Sequence, residues 1–207
     1  MYMQQSIQHY LDELASAQPT PGGGSASALS GALGAALASM VCRLTPGKGG
    51  YEEVQPEIEH IWEQTEQLRA RFAQLLQEDI EAYGRLSAAY KMPRVTDEER
   101  IQRTNAIQEQ LVGAALVPLE MVECAAKLMQ HCRRIAEIGN TNVLSDIATA
   151  AALTRAAAQG AASMVRINLR SMKNVERVHQ LEARLTSALE QVEASGLQVT
   201  AAVGRRA

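Results

Sequence analysis

The chain has 207 residues, with 20 Lys+Arg against 23 Asp+Glu and a formal net charge of −3. Hydrophobic residues make up 46% and aromatic residues 3%. That supplies a core but not the aromatic and β-branched strands of a sandwich or barrel, so an all-β fold and a disordered chain are both excluded. The near balance of charge argues against nucleic-acid binding. Three cysteines, an odd number, do not make a disulfide framework and fit reduced thiols in a cytoplasm. No basic segment followed by an apolar run opens the chain, so no signal peptide is expected.

No strand-like alternation occurs, and the expectation is an all-α fold: an elongated bundle of about six helices forming one domain over 1–207. Ile7, Tyr10, Leu11 and Leu14 mark a short amphipathic helix, broken by the sequence PTPGGG at 19–24. Ser25 then opens a helix with Leu29, Leu33 and Leu37 on one face and Gly31, Gly34, Ala35 and Ala38 on the other. Small residues let helices approach closely, which places this helix centrally in the bundle. No charge occurs from Leu14 to Cys42. Only Leu29, Leu33, Leu37, Met40 and Val41 are large aliphatics after Ser25, so no membrane span is expected.

A long helix is expected over 56–90, with Pro56 in its first turn. Its seam runs Ile58, Ile61, Thr65, Leu68, Phe72, Leu75, Asp79, Ala82, Leu86, Ala89 at spacings of three and four. Such a helix spans roughly 52 Å, against a radius of gyration near roughly 17 Å for a compact domain of this length. The mismatch implies an elongated bundle, or a homodimer with this helix at the contact. Thr96 and Glu99 form a capping box for a helix reaching about Ile138, with Pro118 as a kink. An Ala-rich helix follows the loop at 139–146. A last helix carries Val175, Val178, Leu181, Leu185, Leu189 and Val192, with a loose tail from about 195.

Asp79 is the one charged residue in that seam. Burial raises a carboxyl pKa and suits it to acid/base work, although a paired structural carboxylate fits the same pattern. Residues 21–25, PGGGS, open a helix and can present free N–H groups to an anion; the plainer reading is a turn capped by Ser25. Asn140, Asn142, Ser145 and Asp146 form a second polar helix start. They offer amides for a heterocycle edge and a carboxylate held ionised, or simple loop and cap chemistry. Arg166, Arg170, Lys173 and Arg177 make a basic stripe, a solvated face or a site for a polyanionic ligand. Cys124, His131 and Cys132 match no usual zinc spacing, and no metal is expected.

These segments together resemble one family. Residues 19–25 match the P-x-P-G-G-G-S signature of the formiminotetrahydrofolate cyclodeaminase and methenyltetrahydrofolate cyclohydrolase family. Residues 40–48 with Tyr51 and Glu52 resemble its M-V-x-x-L-T-x-G-K segment, and Asp79, Ala82 and Tyr83 its D-x-x-A-Y. Lys91, Met92 and Pro93 resemble the segment ending that helix, and Val117, Pro118 and Leu119 its V-P-L. Gly139, Asn140, Asn142, Ser145 and Asp146 fit G-N-x-N-x-x-S-D. Gly160, Ala161, Val165, Ile167, Asn168 and Leu169 fit its late G-A-x-x-N-V-x-I-N-L run. Departures are Gly49 and Gly50 for lysines, Met164 for an Asn, and Ile147, Ala148 and Thr149 for Gly-Val-Ala.

The resemblance implies an all-α, usually dimeric, cytoplasmic enzyme acting on a tetrahydrofolate derivative, with no cofactor beyond that substrate and no membrane or nucleic-acid partner. The matched residues fit either reaction of the family; a chain of 207 residues without a fused transferase domain sets the expectation at a cyclohydrolase, opening 5,10-methenyltetrahydrofolate to 10-formyltetrahydrofolate. The alternatives are a cyclodeaminase releasing ammonia and a non-catalytic folate-binding or oligomerising module. Carried over position by position, the catalytic residues are Asp79, Asp146 and Lys48. The substrate-binding residues are Gly22, Gly23, Gly24, Ser25, Tyr83, Asn140, Asn142, Ser145, Arg166 and Asn168. Folate is expected where segments 22–25 and 139–146 meet, with Lys48, Arg166 and Arg170 near its glutamate tail.

Overall fold

The computed structural model describes residues 2–47 and 49–206. Six α-helices follow one another: α1 (Ile7–Leu14), α2 (Gly23–Arg43), α3 (Gln55–Tyr90), α4 (Asp97–Ile138), α5 (Leu144–Leu169) and α6 (Val175–Arg206). Short 3-10 turns occur at Tyr2–Gln4, Glu52–Val54 and Thr141–Val143, and no strand occurs among the described residues. The all-α bundle expected from composition and periodicity is the observed architecture.

α2 occupies the middle, packed against α3 and α5 and touching α4. Its small-residue face does the packing. Gly31 lies against the Phe72 ring so closely that a Cβ there would sit 2.4 Å from Cε1. The leucine face is the more exposed one: Leu33 is 49% accessible, Met40 36% and Leu44 42%. α2 is long and apolar enough to cross a bilayer by length and composition, but 61% of that stretch is buried inside the bundle.

The α3 seam is as the spacing indicates. Ile58, Ile61, Thr65, Leu68, Phe72, Leu75, Ala82, Leu86 and Ala89 are all buried, and Asp79 keeps their register half-buried. The long α3 and α4 run beside each other, tied by Arg71, which bridges Glu78 on α3 and Glu120 on α4 at 2.5 and 2.7 Å. The length of α3 is therefore matched within the chain. The Thr96–Glu99 capping box forms, and α4 continues as one helix through Pro118.

The tail expected to loosen from about 195 stays helical. Ser195, Gly196, Val199 and Ala202 are buried, continuing the α6 seam. Arg206 closes the end of α4, donating to the carbonyls of Ala136 at 2.6 Å and Gly139 at 2.8 Å. A guanidinium at a helix C-terminus satisfies carbonyls that lack intrahelical donors, and this fixes the last turn of α6.

Candidate functional site

α2 begins after a turn whose Thr20–Pro21 peptide bond is cis. Its first residues and α3 face each other across a cleft of about 370 Å³, which α4 and α5 also wall. Gly22, Gly23, Gly24, Asp79, Tyr83, Tyr90, Leu111, Met164 and Asn168 are among its lining residues, and Asp79 is the one charged side chain among them. A cleft of this size, mostly apolar with few convergent polar groups, is the ordinary form of a small-molecule site.

Asp79 touches the start of α2. A Cβ on Gly24 would lie 2.1 Å from Asp79 Oδ1, so only glycine leaves room for the carboxylate there. The Ser25 backbone N–H favours the charged form of Asp79. Burial pushes the Asp79 carboxyl up to about 6, against the pull of that N–H. At neutral pH the group is mostly ionised yet close enough to its pKa to exchange a proton.

The Ser25 hydroxyl lies beneath the cleft, and the residue is wholly inaccessible. It donates to the Gly22 carbonyl at 2.9 Å, receives the Gly22 N–H at 3.2 Å, and meets the Tyr10 hydroxyl at 3.1 Å. A serine oxygen has one proton and two lone pairs. With its proton on Gly22, it must accept from Tyr10, so Tyr10 is the donor. Tyr10, buried at 4% exposure, thus ties α1 to the turn that carries the N–H to Asp79. Burial and the nearby Asp79 charge raise the Tyr10 phenol, outweighing the lowering effect of its Ser25 bond.

The second polar cluster is elsewhere. Asn140 is 1% exposed. Its Nδ2 donates to the Leu44 carbonyl at 2.7 Å, its N–H to Thr45 Oγ1 at 3.1 Å, and its Oδ1 receives the Asn142 N–H at 3.0 Å. These bonds weld the segment to the C-terminal end of α2. The 21 residues of α2 separate that end from Gly22 by about 30 Å at helical rise. The expectation that 22–25 and 139–146 meet is therefore corrected within one chain: Asn142, Ser145 and Asp146 lie at the end remote from Asp79. Ser25 is corrected from ligand contact to support beneath the cleft.

Arg166 does not line the cleft; it is exposed and pairs with Glu182 of α6 at 3.3 Å. Lys48 lies outside the described residues. Gly22, Gly23, Gly24, Tyr83 and Asn168 line the cleft. Sequence reasoning missed Tyr90, Leu111 and the contact role of Tyr10. Tyr90 follows Tyr83 by seven residues, two turns of one helix face, and that spacing was the available signal. Cys42, Cys124 and Cys132 are buried free thiols, held up at about 12, 11 and 12 by burial.

The formiminotransferase-cyclodeaminase family model matches residues 6–187, and the chain belongs to that family. It is 40% identical over 188 residues to a methenyltetrahydrofolate cyclohydrolase of Methylorubrum extorquens, covering 89% of this chain and 90% of that one. It is 31% identical over 201 residues to the formimidoyltransferase-cyclodeaminase of Rattus norvegicus, covering 97% of this chain and 37% of the rat protein. A formiminotetrahydrofolate cyclodeaminase from Thermotoga maritima superposes with a TM-score of 0.90 at 31% identity, covering 99% of this chain and 98% of that one.

Proposed function

We propose that the protein is a folate one-carbon enzyme that hydrolyses 5,10-methenyltetrahydrofolate to 10-formyltetrahydrofolate. The observation that carries this is Asp79, a half-buried carboxylate at the head of α2 in an otherwise uncharged cleft. Water adds to the cationic methenyl carbon and Asp79 takes its proton. The bond from that carbon to N5 then breaks as the formyl carbon–oxygen double bond forms, and the proton lost from the remaining hydroxyl passes to N5. An anion beside the reacting carbon also steadies its positive charge. The cyclohydrolase of M. extorquens, matched along nearly its whole length, supports this direction.

The cyclodeaminase reaction uses the same group differently: N10 attacks the formimino carbon, a base accepts its proton, and ammonia leaves protonated. The T. maritima likeness supports it as a second reading. Methenyltetrahydrofolate absorbs in the near ultraviolet, so parallel assays with methenyl- and formiminotetrahydrofolate separate the two. Loss of the absorbance in the first assay is the expected result. Its appearance in the second, with no loss in the first, would favour the cyclodeaminase. No change in either would remove both readings.

The reading includes a homodimer. The outer face of α2 presents Leu33 and Met40, continued by Leu44 just past its end, and α2 carries no charge before Arg43. Its neighbour α5 carries one charge, Arg155, over 147–165. This uncharged face is a better contact than the charged outer face of α3. A two-fold axis across α2 sets the two copies antiparallel, bringing one chain's 140–146 segment towards the other's cleft. Mixing Asp79→Asn with Asp146→Asn protein tests it. A shared site regains activity on subunit exchange; two inactive variants that stay inactive when mixed would count against it.

A further inference from the structure

Pro118 is buried inside α4. A proline there lacks the N–H that would reach the carbonyl four residues back, and its ring crowds that oxygen. The carbonyl is that of Ala114. Asn168 Nδ2, on α5, donates to it at 2.8 Å and also to the Met164 carbonyl at 2.9 Å. Both amide protons are thus taken by carbonyl oxygens, one on each helix. A flipped amide would set oxygen against oxygen twice, so the orientation is fixed by the partners. Oδ1 lies on the other side of the amide, and Asn168 lines the cleft beside Met164 and Ile167.

We infer that Pro118 is a positioning residue: by freeing the Ala114 carbonyl it locks the Asn168 amide, so that Oδ1 meets the substrate as a hydrogen-bond acceptor. The inference rests on the cleft being the folate site. The reduced pterin of a tetrahydrofolate carries N–H donors along its edge, and a fixed acceptor selects them. A freely turning amide would offer donor or acceptor alike, and part of the binding energy would go to ordering it. The proline is thus a helix defect whose consequence is read one helix away.

Calorimetry with 5-formyltetrahydrofolate, a stable folate, tests this. Pro118→Ala restores the N–H, draws the Ala114 carbonyl back into α4 and releases the amide. Its melting temperature should be equal or higher, because alanine is the better helix former. Its affinity should nevertheless fall about tenfold, the scale of one hydrogen bond to a bound group. Asn168→Ala should lose the same, and the double variant no more than Asn168→Ala alone, because the two act through one bond. Pro118→Val, nearer in volume, repeats the test should the alanine variant pack poorly. Full affinity in both proline variants would overturn the inference, as would losses that add in the double variant, or full affinity in Asn168→Ala. Wild-type protein that binds no folate would instead contradict the proposed function.

Discussion

The two polar helix starts of this chain read alike and fold differently. Residues 22–25 and 140–146 both place small or amide residues where backbone N–H groups are free, and either would serve as a ligand cradle. At the head of α2 the turn faces open volume, with Asp79 opposite. At the head of α5 the amide of Asn140 faces the end of α2 and is consumed by Leu44 and Thr45. Within one chain, the surface packed against each segment, not the segment itself, decides which helix start borders a cleft.

Several substitutions break that contrast. Asp79→Asn should have the largest effect, lowering turnover by roughly 10²–10⁴, the range for removing a positioned acid or base. It should also melt higher at pH 7. The folded carboxyl sits near 6 against an ordinary 3.8, so the unfolded chain gives up the proton first as pH rises. Stability is therefore lost through that window, and the Asn variant should gain about 1–3 kcal/mol above it and nothing below pH about 4. Thermal melts at pH 3.5 and 7 read the difference.

Gly24→Ala should come next. Its Cβ must displace the Asp79 carboxylate, and misplacement by about 1 Å costs on the order of a hundredfold in rate. Steady-state assay beside circular dichroism checks that the fold is kept. At the other helix start, Asn140→Ala should act on stability first. Losing its buried bonds should cost about 1–3 kcal/mol in a denaturant titration, with less than a tenfold change in rate per folded molecule.

Tyr10→Phe should be the mildest. It leaves Ser25 in place but unclamps it, and the rate should fall by less than about tenfold, the scale of one hydrogen bond. A looser Ser25 N–H stabilises the carboxylate less, so the acid limb of the rate profile should move upward in pH. A Tyr10→Phe profile identical to wild type would show that the clamp does not reach Asp79.

The helices were legible because their signals are local. The α3 seam, the Thr96–Glu99 box and the Pro93 stop each depend on residues within a few turns. Asp79 stood out for the same reason, as one charge in an apolar register. The cleft was not legible beyond its matched motifs, because Leu111, Met164 and Tyr90 reach it from three different helices. The distance of Asn140 from Asp79 within one chain was not legible, because a side chain that caps a distant helix end looks, in sequence, like one that awaits a ligand. The end of α6 was misread because its order comes from Arg206 on the carbonyls of Ala136 and Gly139, contacts some 70 residues apart in the chain.

The central claim is that Asp79 moves the proton. The pH dependence of kcat/KM for methenyltetrahydrofolate hydrolysis, compared between wild type and Asp79→Asn, tests it most directly. The wild-type rate should fall on the acid side with a midpoint at about 6, where Asp79 becomes protonated and can no longer act as a base. The residual rate of Asp79→Asn should lack that limb. A limb at the same pH in Asp79→Asn, or a full rate without the carboxylate, would contradict the account.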